Sequence, residues 1–537
     1  MAQTISIAAG SSAASIQSAI NAAPAGAIVR LAAGNYSFDR TVVIDRDDIT
    51  VTGASAGATM ITTRASMGGE PAFRIGDALF KEDLGVGVTM SYAPEGARTI
   101  TVAGGHAFRP GDAIWIETAN DAQLFRQIGD TQWRGDQPLR TALATVTSVS
   151  GNKITLDRDL PFEFKSQGTL VHEIDLVSGV ELRDMTLKGS YGTSDPADFS
   201  NSEAGANGGM MLLVNTSKGV TVSGIEIEEP GSNGMVIAKS IDAQVSDLTV
   251  TGAHNKGDGG NGYGLWIRDV YDSDFQGLNI HDTRHAVLFA SVTSASGNTV
   301  QVDDTNRDIN FHGGLDHDNL VTVDRSVRSG AEPGYLGSVT FVNPGTDYRA
   351  PTDPDANTIL FREVVGTVRA DDVRGMNGGA RLTTLGGNDT LTGGNGSDRL
   401  DGGSGNDLIR ASRGSDTVIG GYGTDTVDFD IWRSTVTLSV SNGQLLVRGE
   451  FGVTRLSGVE YVTFENGRYL VSDLIGQASR AAADAFVFRA AQALSDEAVW
   501  QTEPEQGQTG DAADSAALAA MDLDPVALAA TDRFDFL

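Results

Sequence analysis

The chain alternates apolar and polar residues in short segments that return at a regular interval. Such segments lie at 180–187, 220–227, 243–250, 273–280 and 298–302. Alternation with a period of two is typical of a β-strand that buries one face. Aligning the segments gives one apolar column whose members are 40, 23, 30 and 25 residues apart, namely Leu182, Val222, Val245, Phe275 and Val300.

A second column of apolar segments lies between the members of the first. It comprises residues 234–237, 264–267, 286–289 and 308–311. Two columns of short strands that repeat every 22–30 residues predict a solenoid, in which each turn of the chain stacks on the previous one. A flavodoxin-like or (β/α)8-barrel fold would need amphipathic helices between the strands, and none is evident in the sequence. We therefore predict an all-β fold.

The start of the chain adds a family resemblance. Residues 15–20 have the spacing of a short amphipathic helix, and an apolar strand at 25–31 and an Ala-Gly-Asn-Tyr turn at 33–36 follow it. This order resembles the opening of pectate-lyase-like proteins, which implies a right-handed parallel β-helix over residues 1–370. The period is lost at about 84–172, which predicts a small β insert there.

Residues 384–428 consist of five consecutive nonapeptides. Glycine occupies the fourth position, aspartate the sixth, and Leu, Ile or Val the eighth, which is similar to the repeat of the RTX family of calcium-binding proteins. The glycine-rich half forms a turn whose carbonyls and carboxylate face Ca²⁺, a hard cation that takes six or more oxygens. The predicted metal-site residues are Asp389, Asp398, Asp407, Asp416 and Asp425 with Gly387, Gly396, Gly405, Gly414 and Gly423.

The repeats depart from the pattern at defined positions. Thr384 and Leu385 replace the leading glycine pair of the first repeat, and Ala411 and Ser412 replace that of the fourth. We expect these two repeats to bind calcium less tightly. A degenerate repeat at 375–383 precedes them. A disordered acidic linker is the alternative, but strict glycine, aspartate and aliphatic positions argue against it.

Composition narrows the partners. The chain has 39 basic and 70 acidic residues and a net charge of −31, which disfavours nucleic acid and anionic membranes and suits cations. It has no cysteine, so disulfides and cysteine-ligated zinc are excluded. No apolar stretch has the length of a membrane span, and no cleavable signal peptide is expected at the N-terminus.

The RTX resemblance implies an extracellular or cell-surface protein exported by a type I secretion system. The signals of that system lie at the extreme C-terminus. Residues 477–537 are rich in Ala and Asp and end in Thr-Asp-Arg-Phe-Asp-Phe-Leu, which looks like such a signal. Residues 459–467 alternate like a strand and resemble the segment that closes RTX rolls, so we assign the roll with its closing strands to 371–476.

Candidate chemistry concentrates on one part of the predicted β-helix. Five of the 7 histidines lie between positions 254 and 317. Aligning the segment at 284–289 with that at 307–311 places Arg284 beside Arg307 and His285 beside Asp308. We expect an exposed strip of Arg, His and Asp over these turns, to which an anionic polysaccharide could bind.

Removal of the C5 proton of a uronic acid needs a cation for the carboxylate, a base and an acid. In the predicted site Arg284 and Arg307 would neutralise the carboxylate, His285 or His312 would be the base, and Tyr263 the acid. Asp308 would orient His285. The reaction would be β-elimination or C5-epimerisation, catalysed by a lyase or an epimerase.

Other functions remain open. RTX repeats joined to a β-helix are similar to the arrangement in secreted mannuronan C5-epimerases, but the catalytic Tyr-Gly-Phe-Asp-Pro-His-Glu stretch of those enzymes is absent. Hydrolysis is a second reaction, and polar ladders on β-helices also serve only structure. A non-catalytic surface-layer, matrix or adhesive protein is the main alternative. An enzyme should have a deep groove with Arg284 and His285 exposed, and a structural rod should have a flat face.

Overall fold

The computed structural model describes residues 2–81, 84–128, 138–290, 293–311, 314–328, 330, 332–333, 336–342 and 356–500. The chain divides into two units, residues 1–479 and 480–537. The first unit is a right-handed parallel β-helix followed by a parallel β-roll, so the predicted fold class is confirmed. The described part of the second unit is helical.

An 18-stranded sheet, here called sheet A, runs through the β-helix and into the roll. Its strands are Thr4–Ile7, Ile28–Leu31, Gly34–Phe38, Thr50–Thr52, Thr59–Thr63, Glu181–Lys188, Thr221–Glu228, Gln244–Thr251, Asp274–His281, Thr299–Thr305, Leu320–Val327, Thr358–Val365, Arg381–Thr383, Arg399–Ser404, Thr417–Tyr422, Thr437–Ser441, Gln444–Gly449 and Gly452–Ser457.

The register of sheet A confirms the first predicted column. Leu182, Val222, Val245, Phe275 and Val300 are successive parallel partners, and each is buried. Because apolar side chains occupy the same position on every turn, they stack into one continuous core along the solenoid. Burial of such side chains is the main favourable term that stabilises the coil.

A nine-stranded sheet, sheet B, forms a second side of the β-helix. Its strands are Val42–Ile44, Phe73–Ile75, Val177–Ser178, Met210–Lys218, Asn233–Ile241, Tyr263–Tyr271, His285–Phe289, Ile309–Phe311 and Thr340–Val342. The second predicted column is confirmed by its register, since Met235, Leu265, Val287 and Ile309 are successive partners.

The turns that lead into sheet A explain part of the acidic composition. Asp242, Asp272, Gly297 and Asp318 each precede a strand and have φ values of 56°, 47°, 74° and 53°. Aspartate tolerates this left-handed conformation better than other non-glycine residues do. Many of the aspartates of the β-helix are therefore turn residues and not metal ligands.

The predicted insert is a separate antiparallel sheet with its own core. Its strands are Val88–Thr89, Thr99–Thr101, Ala113–Thr118, Arg140–Ser150, Lys153–Leu156 and Thr169–Ile174. It packs against the β-helix through Trp115, whose ring meets Tyr271 edge-on at 6.3 Å, and through a 2.7 Å hydrogen bond between the hydroxyls of Thr141 and Tyr271.

In the roll, successive strands alternate between sheet A and a six-stranded roll sheet. The roll sheet comprises Asp372–Arg374, Thr390–Thr392, Leu408–Arg410, Thr426–Asp428, Tyr461–Phe464 and Gly467–Leu470. The aliphatic residues at the eighth positions face each other across the roll and are fully buried, namely Leu391, Leu400, Ile409, Val418 and Val427.

Helices are few among the described residues. They are the α-helices Ala13–Ala22, Ala122–Ile128 and Val471–Trp500 and the 3₁₀ helices Ala65–Met67, Ala204–Ala206 and Arg433–Thr435. The predicted secretion segment, 477–537, begins inside the last α-helix, and the terminal residues proposed as its signal lie outside the described residues. Among the described residues, no helix is long and apolar enough to cross a membrane.

Candidate calcium sites and a buried histidine cluster

The aspartate of each repeat connects two turns of the roll. Its Oδ1 accepts the backbone N–H at the equivalent position 18 residues earlier, as in the bonds from Asp389 to Asp407 at 2.9 Å and from Asp398 to Asp416 at 3.0 Å. The backbone N–H of Asp407 donates in the same way to Oδ1 of Asp425 at 2.9 Å. The aspartates therefore form two rows, because alternate repeats lie on opposite edges of the roll.

The second oxygen of most of these carboxylates has no protein partner. Within the described residues, the buried Oδ2 atoms of Asp389, Asp407, Asp416 and Asp425 accept no hydrogen bond. A buried polar atom without a partner is costly, and a buried negative charge is more so. Burial raises the pKa of Asp389 to about 7 and those of Asp407 and Asp416 to about 6.

Glycine is required at the fourth position because the turns stack closely. A Cβ on Gly405 would overlap the carbonyl oxygen of Gly387, and a Cβ on Gly414 would overlap that of Gly396. Both glycines also have φ near +140°, a conformation that side chains rarely adopt. The carbonyl oxygens of successive turns consequently line up beside the aspartate rows.

Three repeats begin with a glycine, Gly393, Gly402 or Gly420, whose missing side chain leaves a small cradle beside Oδ2 of the aspartate of that repeat. At Gly402 the place of a Cβ is approached by Oδ2 of Asp407 and, at 3.0 Å, by the carbonyl oxygen of Gly420. Thr384, at the same position of the first repeat, instead places its hydroxyl 3.0 Å from the carbonyl of Gly402. In the other row, Ser412 donates to Oδ2 of Asp398 at 3.3 Å.

These oxygens fit Ca²⁺, since hard carboxylate and carbonyl oxygens are the ligands it prefers. Among the described residues, no three His, Asp or Glu side chains form a metal-holding group. The Thr384 hydroxyl occupies the cradle of the first repeat, whereas the Ser412 hydroxyl lies beside Asp398 of the second repeat. Weaker binding by the first and fourth repeats stays a prediction.

A family model supports the same assignment. The model for the RTX calcium-binding nonapeptide repeat, in four copies, matches residues 374–409 and 401–431. The chain carries an RTX calcium-binding repeat region. A search of curated proteins finds no match.

Solved structures similar to this chain are distant. A tailspike protein of Pseudomonas phage LKA1 matches with 16% identity, a TM-score of 0.43, and coverage of 77% of this chain and 75% of that one. An alginate lyase from a Paenibacillus species has 11% identity, a TM-score of 0.34, and coverage of 78% and 95%. The A-module of a mannuronan C-5 epimerase from Azotobacter vinelandii has 13% identity, a TM-score of 0.25, and coverage of 84% and 95%. The fold follows from the strand register and not from these similarities.

The histidine predicted as a base lies next to its predicted carboxylate. His285 Nδ1 is 2.9 Å from Oδ2 of Asp308, and the Asn310 amide lies 3.3 Å from the same nitrogen. Tyr263 stacks on the His285 ring with centroids 5.5 Å apart. Burial alone would raise the pKa of Asp308, but His285 and Arg328 hold it below its ordinary value.

The strand register behind this contact differs from the predicted one. Val287 pairs with Ile309, so Ala286 and not His285 lies level with Asp308. The His285 ring nevertheless reaches the carboxylate. Arg284 and Arg307 do not form a matched pair, because their guanidinium groups bind different partners.

The expected exposed strip is wrong, because most of these side chains are buried. His285 is 5% exposed, Tyr263 7%, and Asp308 and Arg307 0%. Arg307 donates to the carbonyls of Thr283 at 2.5 Å and Pro196 at 3.0 Å, and to Glu332 at 2.8 Å.

A long loop covers this part of the β-helix. It spans residues 189–209, between two strands, and Lys256 donates to its Asp195 carbonyl at 2.8 Å. Arg284 binds the Gly257 carbonyl and Asp258, and its side chain is 12% exposed. His312, the other candidate base, lies outside the described residues.

Sequence reasoning missed residues that lie far away in the chain or carry no motif. Arg328 is 3.7 Å from Asp308 and 3.5 Å from Glu332, which extends the buried cluster by one turn. It also missed an open groove of about 490 Å³ on the roll, lined by Arg362, Arg381 and Arg399. The available signal was the spacing of Arg381 and Arg399, which lie 18 residues, or two nonapeptides, apart.

Removal of calcium should unfold the RTX roll and leave the β-helix intact. Without a cation, the buried carboxylate rows are uncompensated charge, so far-UV circular dichroism in chelator should lose part of the strand signal. Ca²⁺ should restore it, and Mg²⁺ should not, because Mg²⁺ demands a tighter octahedral site. Identical spectra with and without chelator would contradict this expectation.

The metal-free roll should regain order as pH falls from 8 towards 5. The folded pKa values of Asp389, Asp407 and Asp416 lie above the ordinary aspartate pKa of 3.8, so the folded state binds more protons than the unfolded chain between these values. The stability of the metal-free roll therefore decreases as pH rises through about 6 to 7. The strand signal in far-UV circular dichroism, recorded in chelator from pH 8 to 5, tests this direction. A strand signal that stays constant or weakens on acidification would show that the carboxylates do not limit folding.

Proposed function

We propose that this chain is a secreted protein that folds on Ca²⁺ and binds an anionic polysaccharide on its RTX roll. The observation that carries the proposal is the arginine-lined groove of about 490 Å³ on sheet A of the roll. The type I secretion machinery is the proposed export partner, because RTX repeats are typical of its substrates.

The groove carries two arginines on adjacent turns, and Glu363 is the partner of Arg381 on the turn before. Arg381 and Arg399 are parallel partners on adjacent strands, which lie about 4.8 Å apart. Arg381 is exposed and makes no ion pair within the described part of the chain. A guanidinium offers a planar fork for a carboxylate, so stacked arginines suit a polymer that carries acidic groups at a regular spacing.

The other two arginines are oriented by exposed ion pairs. Arg362 donates to Asp324 at 3.0 Å, and Arg399 to Asp401 at 3.0 Å. Such surface pairs contribute little stability and exchange readily for another carboxylate. Asp398 also lines this groove. The net charge of the groove therefore becomes more positive when Ca²⁺ neutralises the carboxylates of the roll. Polymer binding should therefore depend on calcium.

The second candidate function is lysis or C5-epimerisation of a uronate polymer at His285. It is favoured by the 2.9 Å contact between His285 and Asp308, since a carboxylate often fixes the tautomer of a catalytic imidazole. The burial of this cluster favours instead a β-helix that serves as a non-catalytic scaffold. Catalysis would require the loop at 189–209 to expose the histidine.

Replacement of both groove arginines should weaken polymer binding. The double variant Arg381→Ala and Arg399→Ala should lower affinity for a polyuronate by about tenfold or more in calcium, as two charge-assisted contacts are lost. Arg410→Ala is the matched control, because Arg410 is an exposed arginine on the roll sheet. Isothermal titration calorimetry in Ca²⁺ and in chelator gives both comparisons. Equal affinity for the double variant and the wild type would refute the groove as the binding site.

Substitution at His285 distinguishes structure from catalysis. If the pair is structural, His285→Ala should reduce stability by about 1–3 kcal/mol and change neither polymer binding nor product formation. His281→Ala is the control, because His281 faces Asp304 at 3.6 Å on the partly exposed surface of sheet A. A 10²–10⁴-fold loss of unsaturated or epimerised product, at an unchanged melting temperature, would instead establish the second candidate.

A further inference from the structure

The roll does not end with its last nonapeptide. After the strand Thr426–Asp428 the chain forms an antiparallel hairpin and then rejoins both sheets. Strand Gly452–Ser457 pairs with Thr417–Tyr422, and strand Tyr461–Phe464 pairs with Thr426–Asp428. One more turn of the roll is thus built from residues that lie outside the nonapeptide match.

Glu460 takes the place of an aspartate in this added turn. Tyr461 pairs with Thr426, so Glu460 lies level with Asp425. The Asp425 N–H donates to Oε2 of Glu460 at 2.8 Å, just as the Asp407 N–H donates to Asp425. The row of carboxylates therefore continues beyond the repeats.

The oxygens around Gly420 repeat the arrangement around Gly402. Oδ2 of Asp425 lies 2.6 Å from the place of a Gly420 Cβ, and the carbonyl oxygen of Gly458 is closer still. At Gly402 the corresponding oxygens come from the next aspartate and from Gly420. Asp425 is 0% exposed, and within the described residues its Oδ2 has no hydrogen-bond partner.

We propose that Glu460 and the Gly458 carbonyl, which lie outside the nonapeptides, complete a Ca²⁺ site with Asp425 of the last nonapeptide at the end of the roll. The site rests on the proposed uptake of Ca²⁺ by the repeats. A second carboxylate on adjacent turns supplies the charge that distinguishes a calcium site from a neutral turn.

The opposite row ends differently. Arg455 pairs with Thr417, so Thr454 lies level with Asp416. Its hydroxyl is buried without a hydrogen-bond partner in the described part of the chain, and it carries no charge. Only the row of Asp389, Asp407 and Asp425 therefore continues into a carboxylate, and the closing strands are attached to calcium along one edge.

The test is calcium titration of the full-length chain by calorimetry. Glu460→Gln should reduce the number of bound Ca²⁺ ions by one, or weaken one ion on the order of tenfold or more, because a charged ligand is lost. Glu450→Gln removes the same charge from an exposed position of the closing segment and should change neither value. Circular dichroism at saturating Ca²⁺ checks that each variant is folded.

The outcomes separate this site from the function on which it rests. A wild type that binds no Ca²⁺ overturns the proposed function and the site together. A wild type that binds Ca²⁺, with Glu460→Gln unchanged in number and affinity, overturns this site alone. If Glu460→Gln does not fold in saturating Ca²⁺, the shorter carboxylate of Glu460→Asp takes its place. Glu460→Asp should lower the affinity for one Ca²⁺ ion, and an unchanged titration would again overturn the site.

Discussion

One carboxylate oxygen holds each turn of the roll to the next turn of the same row, and this bond forces negative charges into a buried row. Asp389, Asp407 and Asp425 stand on successive strands about 4.8 Å apart, each with Oδ1 bonded to a backbone N–H. Charges this close interact strongly away from water. The folded roll is therefore stabilised when protons or a cation neutralise these carboxylates. At neutral pH we expect the cation to do so. The nonapeptide spacing and the expected dependence of the roll on calcium are consequences of the same geometry.

Sheet A joins the roll to the β-helix in one continuous sheet. Strand Thr358–Val365 of the β-helix pairs with Arg381–Thr383 of the roll, and the sheet continues to Gly452–Ser457. In a solenoid each turn is stabilised mainly by its neighbours. The β-helix thus offers a formed edge on which the first turn of the roll can order, while the end of the roll is closed by its last strands and by the start of the helix Val471–Trp500, whose Val471 and Leu474 are buried. A calcium ion at Glu460 would bind the closing strands to the last turn of the roll.

Features that repeat along the sequence could be predicted from it, and contacts between distant, non-repeating segments could not. The columns through Val245 and Leu265 were predictable because a solenoid repeats the same burial at each turn, and the roll because Gly and Asp recur every nine residues. The burial of His285 was not, because the covering loop has no period of its own. Glu460 was missed because the hairpin interrupts the repeat and glutamate replaces aspartate.

The partners of the arginines decide which of them can recognise a substrate. Arg307 is fully buried and donates hydrogen bonds to the carbonyls of Thr283 and Pro196 and to the carboxylate of Glu332. A loop can cover a solenoid only if its backbone polar groups find such partners. Arg307, with Lys256, therefore anchors the loop at 189–209. Arg381 has the opposite environment, since it is exposed beside a stacked arginine. A guanidinium can bind an external carboxylate only where the protein has not already saturated it, and this condition favours the roll over the histidine cluster.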